Sequence, residues 1–263
     1  MFADAPVADI PGVLGDLESQ GWETVWIAEA RDGREAFTLA HHLLAHTQRM
    51  NVATGIANMW YREPWAAAKA QQFLTDVSGD RFLLGLGVGH RGVTARSKVE
   101  YGRPAETLAD YAAGVDRAHR DHAAHFASRR VLAALGPRML KTAASTSAGA
   151  ISYLAPVAHT RVARESLGED AFLAVSLKIV LGRGDAALER ARDAVVTPLQ
   201  LQELLRQPRQ AWPHRNRRAR RSARSGARSG GCGRPRRCRC EGAGASRRRC
   251  RPRGARGRRR CCR

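Results

Sequence analysis

Three short stretches of this chain carry residue types that could do chemistry. The first is Gly87-Val88-Gly89-His90, which closes an apolar run. Imidazole titrates near neutrality, so His90 could pass a proton to or from a substrate oxygen, or donate to the carbonyl of a bound ring. A loop histidine capping a turn is the competing reading. The second is Glu29, at the end of Thr-Val-Trp-Ile-Ala-Glu. Its carboxylate could polarise a substrate or orient a flat ligand, or it could simply pair with Arg31 or Arg34. The third is Gly136-Pro137-Arg138, where a buried run gives way to a helix with proline near its first turn. Free N–H groups and the helix dipole there could hold a phosphate, with Arg138 adding charge. An ordinary strand-to-helix turn would look the same.

Two other patterns are weaker. Gly87, Gly89 and Gly92 match the dinucleotide fingerprint G-x-G-x-x-G. That fingerprint needs a helix to open at once, whereas residues 93–104 are polar, basic and broken by Gly102-Arg103-Pro104. His42 and His46 lie four apart, but Leu43 stands where a zinc-protease helix carries glutamate. They read as a half-exposed structural pair, and no metal site is expected. Trp26, Trp60 and Tyr61 could wall a flat ligand or merely pack.

These residues need a scaffold that brings strand ends together. Six apolar runs read as strands, at 23–29, 50–57, 82–88, 130–135, 151–155 and 172–181. Helical patterns fit at 7–20, 35–47, 65–77, 105–122, 137–147, 158–167 and 185–196. The run at 82–87 has no polar alternation, so both of its faces should be covered. Strands alternating with helices predict a parallel sheet. In a parallel α/β barrel the chemistry lies at the C-terminal strand ends, where His90, Glu29 and Gly136 fall. No apolar run approaches the roughly 20 residues needed to span a bilayer, and a cytoplasmic chain is expected.

Five segments in order carry a resemblance: TVWIAEA at 24–30 with REAF at 34–37, ATGIAN at 53–58, GDRFLLGLGVGH at 79–90, ALGPRML at 134–140, and the stretch from Tyr153 to Asp170. Over roughly residues 4–198 the chain resembles the luciferase-like oxidoreductases, in particular those that use the deazaflavin coenzyme F420. The resemblance implies a TIM (β/α)8 barrel and hydride transfer between coenzyme F420 and a small organic substrate. Carbon replaces the flavin's reactive nitrogen in F420, so it carries hydride and does not readily activate oxygen. The alternative on the same scaffold is a monooxygenase using FMN. The resemblance places a bulge with a non-prolyl cis peptide at Gly55-Ile56, against which the ring would pack beside Ala57 and Asn58. Gly87 and Val88 would let the ring approach backbone. Gly136, Pro137 and Arg138 would take a cofactor phosphate, and His90 and Glu29 would act as catalytic groups.

Composition changes near residue 205. Of 45 Lys and Arg, 23 are arginines within 206–263, opposed there only by Glu241; residues 1–205 hold 22 basic and 23 acidic residues. The formal charge of +21 therefore belongs to the tail, as do all six cysteines. A segment of Arg, Gly, Ala, Ser, Pro and Cys has little to bury and should be disordered. It could bind nucleic acid non-specifically through phosphates. Cys238-x-Cys240 and Cys261-Cys262 are not finger spacings, and Met1-Phe2-Ala3-Asp4 begins no signal peptide, which argues against a secreted disulfide framework. A reading-frame shift explains the composition better. Displaced by one base, CGN and TGY codons for Arg259 to Arg263 permit Asp-Val-Val-Val.

The expected organisation is thus a barrel domain at 1–205 and an out-of-frame tail at 206–263. The barrel should lack its first and last strands and so carry two open sheet edges, and an inactive chain as translated is one expected outcome. A small-molecule substrate, no membrane and no specific nucleic acid are the expected partners, and a homodimer is possible.

Overall fold

The computed structural model describes residues 5–30, 32–90 and 101–199; the tail at 206–263, and every expectation placed on it, lies outside them. The strands are β1 (Thr24–Ile27), β2 (Asn51–Thr54), β3 (Ala57–Asn58), β4 (Phe82–Gly87), β5 (Arg130–Ala133), β6 (Gly149–Tyr153) and β7 (Phe172–Ser176). The helices are α1 (Ile10–Ser19), α2 (Ala36–Ala45), α3 (Pro64–Ser78), α4 (Pro104–His119), α5 (Ala123–Ser128), α6 (Pro137–Thr146), α7 (Val157–Leu167) and α8 (Gly184–Leu199). Every strand pairing is parallel, in the order β1-β2-β4-β5-β6-β7, with β3 continuing β2 along β4.

Alternation along each strand separates two layers. Val25, Ile27, Val52, Leu84, Leu86 and Leu132 turn outward into one apolar layer with Leu39, Leu43, Leu74, Leu108 and Leu140 of the helices. The concave face carries small residues, among them Ala53, Gly85, Gly87, Ala133 and Gly149. Their lack of bulk lets the sheet curl into a half-barrel. The curl brings Trp26 of β1 to stack on Phe172 of β7, at opposite ends of the strand order, with ring centroids 6.4 Å apart. Among the described residues nothing pairs with the outer edge of β1 or of β7.

Local chemistry fixes the element ends. Pro64 and Pro137 open α3 and α6 at a position where a missing N–H costs nothing. Glu35 caps α2, accepting from the Phe37 and Thr38 amides. Gly79, in the left-handed region at φ 61°, ends α3. The expected strand at 172–181 stops at Ser176, because β6 stops at Tyr153 and the last ladder bond is Leu154 N–H to the Ser176 carbonyl. Leu177, Ile179 and Leu181 beyond it are exposed. No helix among the described residues is long and apolar enough to cross a membrane.

Candidate functional site

Two sharp events interrupt the strand 50–57. β2 ends at Thr54, and the Gly55–Ile56 peptide is cis. The chain then resumes beside β4 as β3. The Thr54 hydroxyl fills the resulting gap in the ladder: it donates to the Gly85 carbonyl at 2.7 Å and accepts from the Gly85 amide at 2.8 Å. The backbones come so close that a Cβ on Gly85 would sit 1.8 Å from the Thr54 carbonyl oxygen. A side chain here thus stands in for a strand pairing, and the backbone at Gly55–Asn58 becomes the rim of the half-barrel.

A buried ion pair braces that rim from outside. The Glu29 carboxylate, 3% exposed, accepts from the Ala36 amide at 3.1 Å, the Asn58 amide at 2.8 Å and the Arg62 guanidinium. Arg62 also reaches Glu35 at 2.9 Å and the Asn58 carbonyl at 3.2 Å, and its guanidinium lies 4.6 Å from the centroid of the Phe37 ring. Burial works against ionisation of Glu35, but the Thr38 and Phe37 amides, the Thr38 hydroxyl and Arg62 outweigh it and hold the carboxyl below its usual value. The Tyr111 hydroxyl on α4 donates to the Arg62 carbonyl at 3.1 Å, and burial pushes this phenol up to about 12.

The neighbouring strand ends face the same way. Beyond β4, Trp60 Nε1 donates to the Val88 carbonyl at 2.9 Å and the Tyr101 hydroxyl to the Gly89 carbonyl at 2.9 Å, with the two rings 6.2 Å apart. His90 follows, half-buried. Beyond β5, Gly136 caps α6 with open space where its side chain would be; Pro137 and Arg138 are exposed. His159 of α7, buried, donates from Nε2 to the Leu135 carbonyl at 2.7 Å and pins this turn from behind. Tyr153 ends β6 half-buried, its phenol raised by burial. The parallel order therefore sets Gly55, Ile56, Ala57, Asn58, Val88, His90, Gly136, Pro137 and Arg138 on one rim.

Four expectations need correction. Gly87 does not open onto a ring: a Cβ there would meet Ile56 Cγ1 at 2.8 Å and Ala133 Cβ at 2.9 Å, so protein already fills that space. Glu29 pairs with Arg62, while Arg34 donates to the Ala5 carbonyl at 2.6 Å and Arg31 lies outside the described residues. The expected catalytic role for Glu29 also meets an obstacle, since both carboxylate oxygens turn into protein. The Asn58 side chain turns inward too, its Oδ1 accepting from the Trp60 amide at 3.1 Å. His42 and His46 touch each other, with ring centroids 4.4 Å apart, and among the described residues no group of three or more possible ligands is placed to hold a metal. Arg62, Thr54, Tyr101 and Tyr111 escaped the sequence reading. Only the Tyr-Arg-Glu-Pro turn between strand and helix hinted at the first.

A parallel half-barrel with its loops and helix starts on one rim defines a class of α/β-barrel proteins. Within it, the luciferase-like monooxygenase family matches residues 3–239, running past residue 205 into the arginine-rich segment, and the chain belongs to that family. It is 26% identical over 110 residues to the 5,10-methylenetetrahydromethanopterin reductase of Methanolobus tindarius, covering 42% of this chain and 34% of the relative. A Mycobacterium tuberculosis protein named as a coenzyme F420-dependent oxidoreductase is 39% identical over 76 residues, covering 29% of this chain and 22% of its own. The chain thus matches about a third or less of these relatives' length. Among solved structures, the coenzyme F420-dependent tetrahydromethanopterin reductase of Methanopyrus kandleri superposes with a TM-score of 0.64 at 16% identity, covering 75% of this chain and 70% of the other. The FMN complex of the oxygenating constituent of 3,6-diketocamphane monooxygenase from Pseudomonas putida gives 0.54 at 12% identity, covering 75% and 69%. At these identities the likeness establishes the fold.

Proposed function

We propose that this luciferase-like chain binds the deazaflavin coenzyme F420 on the C-terminal rim and takes part in hydride transfer between it and a small organic substrate. One observation carries the proposal: the Ile56–Asn58 segment, half-buried His90 and the open start of α6 follow adjacent parallel strands and so lie at the same, C-terminal, end of the sheet. The residues present fit such a group. Open space at Gly136, the first-turn amides of α6 and exposed Arg138 suit a phosphate, and half-buried Ile56 offers an apolar surface to a flat ring. The coenzyme would supply the hydride-carrying carbon. The chain's own groups would hold and orient: half-buried Ile56 backing the ring, with Ala57 behind it in the core, Gly136 to Arg138 holding the phosphate, and His90 keeping a proton at the substrate oxygen. Relatives named for F420 support this choice of cofactor, and neighbours that use FMN define the competing one.

Titration of the full chain with F420 and with FMN, followed by quenching of cofactor fluorescence, tests the reading. F420 is expected to bind more tightly. Tight FMN binding with none of F420 favours the monooxygenase alternative, and binding of neither defeats the proposal.

A further inference from the structure

We infer that Arg62 is a positioning residue: through Glu29 and Asn58 it holds the Gly55–Arg62 segment where the proposed ring seat needs it, so that cofactor affinity depends on a side chain that does not face the mouth. The inference rests on the reading above. Its warrant is geometric. The guanidinium, in a side chain 10% exposed, joins acceptors from three elements: Glu29 after β1, Glu35 at the start of α2, and the Asn58 carbonyl at the end of β3. The planar fork of arginine can meet all three at once, and stacking on Phe37 fixes its plane. Glu29 passes the constraint on, because its other oxygen holds the Asn58 amide and its own amide donates to the Ile56 carbonyl at 3.2 Å. Tyr111 anchors the far end of the segment through the Arg62 carbonyl. Both polar groups of the Asn58 backbone and the Ile56 carbonyl are therefore spoken for by one cluster.

The chemistry separates positioning from mere stability. Lysine at 62 would keep the charge beside Glu29 but would lose the fork and the stacking. Glutamine at 29 offers one oxygen where two backbone N–H groups need acceptors. Whichever way its amide is turned, an NH2 group faces either the Ala36 or the Asn58 amide.

The test compares the full chain with Arg62→Gln, Arg62→Lys, Glu29→Gln and, as control, Asp116→Asn. The control weakens another ion pair, half-buried Asp116 with fully buried Arg130, at the opposite end of the sheet. F420 and FMN titrations are read beside the denaturation midpoint and amide exchange over residues 55–62 without cofactor. Arg62→Gln should lose exchange protection over 55–62 and bind about tenfold more weakly, the scale of one hydrogen bond lost in positioning the site. Arg62→Lys should recover most of the midpoint but not the affinity, and Glu29→Gln should follow Arg62→Gln. Asp116→Asn should lower the midpoint while binding within about twofold of the parent. Parental affinity in Arg62→Gln or Arg62→Lys, or an equal loss in Asp116→Asn, overturns the inference alone. If the unsubstituted chain binds neither cofactor, the ring-seat reading falls and takes the inference with it.

Discussion

The two ends of the half-barrel solve the same electrostatic problem differently. At the N-terminal end, Arg130 opens β5 fully buried and meets Asp116 of α4 through two bonds, 2.9 and 3.3 Å, with a third to the Thr146 carbonyl. Beside it, buried His119 stacks on Phe126, rings 3.9 Å apart, and shares a bond with Gln71, whose amide donates to the Phe126 and Arg129 carbonyls. These groups pair with one another and with backbone carbonyls, two of which, Phe126 and Arg129, also accept a backbone N–H. At the C-terminal end, Glu29 and Arg62 bond to each other, Arg62 also to Glu35, and together they take both the N–H and the C=O of Asn58 on the rim. The lower cluster keeps the layers together, whereas the upper one decides where a stretch of main chain lies. Loss of the lower cluster should therefore be felt in unfolding, and loss of the upper one in binding.

The largest expected effect is at the lower end. Asp116→Ala leaves the Arg130 charge without its carboxylate partner in a fully buried position. Breaking a buried pair in this way costs about 3–5 kcal/mol, and the partial exposure of Asp116 points to the lower figure. A denaturant titration should show the midpoint falling with no change in slope. A loss under 1 kcal/mol would mean that water reaches Arg130 and that the two ends are not distinguished by burial.

The same cluster should make the fold acid-sensitive. Burial, with Lys69 and Arg130 nearby, depresses His119 from 6.5 to about 4; Asp116 pulls the other way and His122 adds to the depression. Between those values the unfolded chain binds the proton that the native chain refuses, so stability falls as pH drops from about 6.5 to about 4 and this contribution levels off below. The whole change is of the order of 3 kcal/mol. His119→Leu should flatten the slope in that window, whatever it does to the level at pH 7. An unchanged slope would place the titration elsewhere.

How much of this contrast was legible beforehand follows from the physics of each part. Each of the six expected strands, and every described helix except α5, has its expected counterpart, because apolar period and Pro or Gly punctuation are local signals. The last strand ends at Ser176, five residues short of expectation, because its neighbour β6 ends at Tyr153. The break at Thr54-Gly55-Ile56 within the run 50–57 could not be read from hydropathy, and the family resemblance alone pointed to it. Glu29 and Arg62 lie 33 residues apart and meet only because parallel strands bring their ends to one rim. Gly87 was misread for a related reason: a glycine at a strand end accommodates a ligand or a neighbouring side chain equally well, and here the neighbour is Ile56.

Thr54→Val tests the seam between the rim and the sheet. Valine keeps the shape but removes one donor and one acceptor from the buried Gly85 backbone, at 2.7 and 2.8 Å. Leaving those groups unpaired should cost about 2 kcal/mol or more. Amide exchange at Gly85 should speed up in step, and a stable variant with Gly85 still protected would show that the ladder closes without the hydroxyl.

The smallest effects should come from two alanines on the rim, and they sharpen the comparison within the site itself. At Gly87 the new methyl must push Ile56 and Ala133 from contacts under 3 Å. The Ile56 side chain can swing, but Ala133 Cβ moves only with its strand, so overpacking of about 1 kcal/mol is expected. Because Ile56 is the residue displaced, cofactor affinity should fall together with stability. At Gly136 nothing lies within 4 Å, and φ is −91°, a value alanine adopts freely. Alanine caps a helix less well than glycine, so a loss of about 0.5 kcal/mol is expected, smaller than at Gly87. A loss of affinity at Gly136 beyond what that change in stability explains would then locate bound ligand atoms in that open space. Equal stability losses at the two glycines would mean that Ile56 does not pack over Gly87 as it does in this structure, and the assignment of the ring to Ile56 would have to be given up.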